Sequence, residues 1–323
     1  MKNSDFNRKF RERLLEKNPT KGDCAELLSD MLQIDKVSAY RRLSGRINFT
    51  AEEVARLASK FNISLDAILD EVYDDRQKSM RLEFWEHYGG LNVNMVVEEN
   101  IAFFEDFVMR PDSEMGLAID RVASIQAIHH EALFRFLFFK WGHYFTDLPE
   151  FRRFDTVTPP ARSRTLFERY AELYTHIKYT FYIWDDKIMS NMAGDIKYFR
   201  GLGALCAQDV ADIKEDMMRM LRKMEEAAAA GRYPATGNRF ELYHSSLPIP
   251  GSHMYTSAGQ AITYHLGAFV IRTLYTAQKD YVEEMKQSIN RIKNGAILIS
   301  GCAEKERMAF FADQRRIVES IDE

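Results

Sequence analysis

Over the first seventy residues the apolar positions recur with the period of a helix, not of a strand. Phe6, Phe10 and Leu14 stand four apart on one face. Asn18-Pro19 ends that segment, because proline lacks a backbone donor and clashes with the turn before it. A second helix is predicted from about Asp23 through Ala25, Leu28 and Leu32. A short third one runs from Lys36 to Leu43 and stops at Ser44-Gly45, a usual helix exit. Thr50 and Glu53 then have the spacing of a capping box, in which hydroxyl and carboxylate each satisfy an orphan backbone N–H. Val54, Leu57, Ala58 and Phe61 follow at i, i+3, i+4, i+7, and Ser64 caps a last turn holding Leu65, Ile68 and Leu69. Five short helices within residues 1–70 predict a bundle.

The charged stretch from Asp70 to Ser79 reads as a linker over 71–80, leaving 81–323 as a larger second domain. In it, helices are predicted over Val96–Met109, Ala118–Phe145, Thr165–Met192, Ala207–Ala230, Tyr281–Lys293 and Ala303–Ile321. Between residues 239 and 277 the chain turns to β-formers, Phe240-Glu-Leu-Tyr-His and Ala261-Ile-Thr-Tyr-His-Leu, with Pro248, Pro250 and Gly251 as turn signals. That pattern predicts a small antiparallel sheet.

The segment from Leu28 to Gly45 resembles the helix-turn-helix of phage-repressor-type (XRE-like) regulators. In that family an apolar helix ends in a tight turn with one buried aliphatic, followed by a recognition helix and a glycine. Leu28, Ser29 and Leu32 take the packing positions of the first helix, and Ile34 fills the buried turn position. Ala39 and Leu43 anchor the recognition helix, and Gln33 stands where the family prefers glycine. Phe49-Thr50 and the stretch from Phe61 to Leu69 are similar to the family's last two helices, so the resemblance covers about residues 5–70. It implies a sequence-specific, DNA-binding bacterial transcription regulator. The fold class expected is mainly α: a five-helix helix-turn-helix bundle followed by a larger helical α+β domain with a small antiparallel sheet.

Residue chemistry leads to the same place. With Ala39 and Leu43 turned inward, Lys36, Val37, Tyr40 and Arg41 occupy the outward face. A helix fits the major groove, where Arg or Lys bonds guanine O6/N7 and an apolar group meets a thymine methyl. These four are the expected base contacts. Arg42 and Arg46 flank that face as expected phosphate contacts, which fix register without reading sequence. A lone head makes few contacts, so a homodimer on two half-sites is expected.

Charge changes this picture little. The chain of 323 residues carries a formal net charge of −4. Residues 1–70 hold thirteen Lys/Arg against eleven Asp/Glu, a balance of +2, so the remainder carries −6. Position therefore decides: Lys36, Arg41, Arg42 and Arg46 fall within eleven residues with only Asp35 opposing them. Cys24, Cys206 and Cys302 are far apart, without the spacing of a disulfide framework or zinc ribbon, which points to a reduced compartment. The first residues lack the apolar run of a secretory signal, and the stretch Ala132–Phe139 is too short and too charged to span a bilayer. The expectation is cytoplasmic, with no membrane partner.

Other constellations are weaker. Gly251-Ser252-His253-Met254 suggests the serine of a self-cleaving repressor, with Lys286 or Lys293 as partner, but those lysines fall on a predicted surface helix where nothing desolvates them. Glu98, Glu99, His129, His130 and Glu131 lack the Glu-x-x-His spacing of a bundle metal site. Asp185-Asp186 lacks a third ligand, and Cys302 reads as a small packing residue. The aromatic runs around Phe134–Phe145 and Tyr170–Trp184 read mainly as core, with an apolar effector pocket as the functional alternative. Neither a metal, a cofactor nor catalysis is expected. An interaction protein of antitoxin-like or phage-derived type, or an enzyme fused to a DNA-binding head, are the alternative classes.

Overall fold

A computed structural model describes residues 3–17, 20–73, 80, 82–84, 93–268 and 272–322. Asn18-Pro19 and positions 74–79 of the expected linker lie outside them. The chain divides into two compact units, Met1–Met80 and Arg81–Glu323.

The first unit contains α1 (Asn3–Glu16), α2 (Lys21–Leu32), α3 (Lys36–Leu43), α4 (Ala51–Phe61) and α5 (Leu65–Tyr73). Phe10, Leu14, Ala25, Leu28, Ala39, Leu43, Leu57 and Ile68 meet in one core, with Leu32 and Ile34 packed at its edge. The second helix begins earlier than its apolar pattern suggests, because Thr20 caps it, its hydroxyl accepting the Asp23 N–H. Thr50 and Glu53 form the capping box at the start of α4.

The second unit is α plus β. Its strands are β1 (Glu83–Phe84), β2 (Glu114–Ile119), β3 (Tyr179–Asp185), β4 (Arg239–Ser245), β5 (Ser252–Ala258), β6 (Ala261–Ala268), β7 (Arg272–Thr276) and β8 (Ile297–Leu298). Its helices are α6 (Val93–Val108), α7 (Ser124–Ala127), α8 (Glu131–Phe145), α9 (Ala161–His176), α10 (Ile188–Gly201), α11 (Ala207–Ala230), α12 (Lys279–Gly295) and α13 (Glu304–Glu319). The strands form one eight-stranded sheet in the order β1-β7-β6-β5-β2-β3-β4-β8. β2, β3 and β4 run parallel, and the other pairings are antiparallel.

This corrects the expectation of a small antiparallel sheet. The segments read as continuous helices over 118–145 and 165–192 each contain part or all of a strand, β2 and β3. The reason lies in burial. Six of the seven residues of β3 and five of the six of β2 are buried, so neither alternates polar with apolar. A strand covered on both faces reads as an unbroken apolar run, which single-sequence periodicity cannot tell from a buried helix.

Helix α12 covers one face of the sheet, where Val282 and Ile289 meet Ala118, Phe181, Ile183, Tyr255 and Tyr264. On the other face Met115, Leu117, Tyr182, Trp184, Phe240 and Leu242 pack against residues of α6, α8, α9, α10, α11 and α13. Most of the aromatic density is this core: Phe134, Phe136, Phe139, Tyr174, Phe181, Tyr182 and Trp184 are all buried. Among the described residues, no helix is long and apolar enough to cross a membrane.

Candidate nucleic-acid interface

Helix α3 is built to present one face. Asp35 caps its start, accepting the Ser38 N–H at 2.9 Å and the Ser38 hydroxyl at 2.7 Å. These bonds, the hydroxyl's foremost, hold the Asp35 carboxyl below the usual carboxylate range. Its negative charge is thus engaged at the positive end of the helix, where an anion stabilises. Inward, Ala39 and Leu43 are buried in the head core. Outward, Val37 is 60% and Tyr40 45% exposed, and Lys36 and Arg41 are exposed beside them. The four expected base-contact residues therefore share the solvent face of one helix.

The turn into α3 is held by local hydrogen bonds. Gln33 adopts the left-handed conformation, φ 55°, that glycine adopts freely. Its side-chain amide donates to the Asp30 carbonyl at 2.9 Å, and the Ile34 N–H donates to the Ser29 carbonyl at 3.1 Å. Local hydrogen bonds hold the backbone where glycine would have gone unaided.

The flanking cations divide. Lys36 reaches Glu26 at 2.8 Å, but both side chains are about two-thirds exposed, and such pairs contribute little and exchange readily. Arg41 and Arg46 are exposed with no side-chain partner among the described residues. Arg42 is different, and this corrects its expected role as a phosphate contact. Its Nε and Nη2 grip the Glu53 carboxylate, at 3.1 and 2.7 Å, and its Nη1 donates to the Ser38 carbonyl at 3.4 Å. Both partners' side chains are about 85% buried. Burial by itself would push the Glu53 carboxyl up; Arg42 and the Thr50 N–H outweigh it and hold the carboxyl below its usual range. One carboxylate thus serves the capping box of α4 and ties α3 to it.

Residues 2–87 match the family model of the BetR domain. The matched segment takes in all five helices of the first unit and runs past residue 70, where the head was expected to end. No curated protein and no solved structure matches the chain.

The weaker constellations do not assemble. Ser252 pairs with Ile119 at one end of β2, whereas Lys286 approaches Glu114 at the other, so serine and lysine lie at opposite ends of the strand. The two lysines are also not on a free surface. Lys293 donates to the Tyr179 hydroxyl at 2.9 Å and lies 4.3 Å from the Phe181 ring centroid; Lys286 lies 4.9 Å from the Tyr255 centroid. His130 is buried, while Glu131 faces solvent and Glu98 pairs with Arg162. Asp185 is buried and accepts the backbone N–H groups of Lys187 and Ile249, whereas Asp186 pairs with His244. Cys302 is exposed. No group of three or more His, Cys, Asp or Glu suited to a metal ion occurs among the described residues.

Proposed function

We propose that the first unit is a helix-turn-helix head of the phage-repressor type, and that the protein is a sequence-specific, DNA-binding transcription regulator. The observation that carries this is the outward face of α3. Lys36, Val37, Tyr40 and Arg41 project together from a helix of eight residues whose opposite side, Ala39 and Leu43, is locked into the core. Such a helix enters the major groove with donors and apolar groups aimed at base edges. The match to the BetR domain, a domain associated with DNA binding, supports the reading.

In this reading α3 reads base edges, Arg46 fixes the register on a phosphate, and two copies of the chain engage two half-sites. The paired roles are separable by mutation. Arg41→Ala should cost about 1–3 kcal/mol on the preferred duplex and relax base preference at one position. By contrast, Arg46→Ala should weaken all duplexes alike and lower the salt slope of log Kd by about one. Fluorescence anisotropy on matched and mismatched duplexes at several salt concentrations measures both. Equal, sequence-blind losses for the two variants would contradict the assignment. Light scattering at micromolar concentration, with and without duplex, tests the dimer; a monomer in both samples would refute it.

A further inference from the structure

Helix α1 packs along the chain that leaves α3. Asn7 is buried, and its side-chain carbonyl accepts the Phe49 N–H at 2.9 Å. The Phe10 ring meets the Phe49 ring edge-on, with centroids 5.5 Å apart. One turn beyond Asn7, Arg11 lies on the same face and lays its guanidinium against Gly45. A Cβ at that position would stand 3.0 Å from Arg11 Nη2 and 3.1 Å from Cζ. Gly45 also has φ +79°, so the backbone conformation favours glycine there.

Arg11 has no hydrogen bond or ion pair among the described residues, and its Nη1 is buried without a partner. The cations of α3 and of the turn after it differ from Arg11: Lys36 has Glu26, Arg42 has Glu53, and Arg41 and Arg46 stand in solvent. A charged donor taken out of water and left unbonded is costly, so the Arg11 guanidinium is under-bonded in the free protein. Desolvation also lowers the Arg11 pKa, against the opposing influence of Glu12. Arg11 as a whole is only partly buried, and its Nε and Nη2 are not sealed off as Nη1 is. An oxyanion at the turn between α3 and Arg46 would be met by that edge, whose fork matches the oxygens of a phosphate.

We propose that Arg11 is a phosphate-binding residue, acting with Arg46 at the Gly45 turn and supplying the second backbone clamp that Arg42 cannot provide. For the source of that phosphate, a duplex backbone, the proposal rests on the DNA-binding reading. It adds to the interface a residue from α1, outside the segment whose pattern marks the helix-turn-helix.

The test uses the full chain and the variants Arg11→Gln and Arg11→Met. The methionine keeps the apolar stem, so one variant remains interpretable if the other fails to fold; circular dichroism checks each. On duplexes of unrelated sequence, the folded variants should weaken binding by the same factor throughout and lower the slope of log Kd against log salt by about one. A folded variant with the wild-type slope overturns the proposal. If wild type binds no duplex at all, the DNA reading fails, and thermal melting then judges Arg11 alone. Inorganic phosphate should raise the Tm of wild type, relative to chloride at equal ionic strength, and not that of the variants. An equal rise in all three, or none in any, overturns the anion site itself.

Discussion

Single residues in the head divide by what the sequence around them can reveal. Ala39 and Leu43 are legible as inward because they stand at i and i+4 on one helix face, and Thr50 with Glu53 is legible because a capping box has fixed spacing. Arg42 is not legible in the same way. Its partner depends on α4 coming to rest against α3, and Glu53 already had an assigned role. A carboxylate accepts up to about four hydrogen bonds, so it can serve both. The expected result for Arg42→Ala follows from that geometry. With Glu53 left largely buried and short of a partner, stability should fall by about 1–3 kcal/mol. The slope of DNA binding against salt should stay that of wild type. Urea denaturation and anisotropy measure the two quantities, and a lowered slope at unchanged stability would return Arg42 to the phosphate contacts. Arg11 was unreadable for a related reason: only the fold brings α1 beside Gly45.

At the scale of elements, helices with a solvent face were legible and buried strands were not. Helices α3, α4 and α11 each keep a polar side, and the last shows a further mark, the alanine run ending at Gly231 in the left-handed conformation. β2 and β3 have no polar side to display, and their Met, Leu, Ala, Tyr and Trp residues serve a helix equally well. Gly116 in β2 is where packing speaks most directly. A Cβ added there would lie 2.4 Å from the Phe181 ring and 2.5 Å from the Tyr255 ring, both fully buried. Gly116→Ala should therefore destabilise the larger unit by about 1–3 kcal/mol, as overpacking does in a core that cannot yield. A urea midpoint matching that of wild type would show that the two rings move aside without cost.

For the molecule as a whole, two buried histidines contribute to the response to acid. Burial, the largest cause in both cases, lowers the pKa of His130 to about 4 and that of His265 to about 3. The unfolded chain titrates them near 6.5. Each therefore contributes stability that is complete above pH 6.5 and declines as pH falls toward the folded value, because only the unfolded chain takes up the proton readily. By pH 5, where ordinary carboxylates are still largely ionised, the loss should be about 2 kcal/mol for each. Urea midpoints at pH 7 and pH 5 test this, and an unchanged midpoint would contradict the buried neutral state. The proposed function depends on the head finding a sequence in DNA. The most direct measurement is selection from a random duplex pool by the full chain, run in parallel with Arg41→Ala. The expected outcome is a reproducible motif with wild type that becomes degenerate at one position in the variant. Recovery of no motif, or of an identical motif from both proteins, would contradict the assignment of α3 as the reading helix.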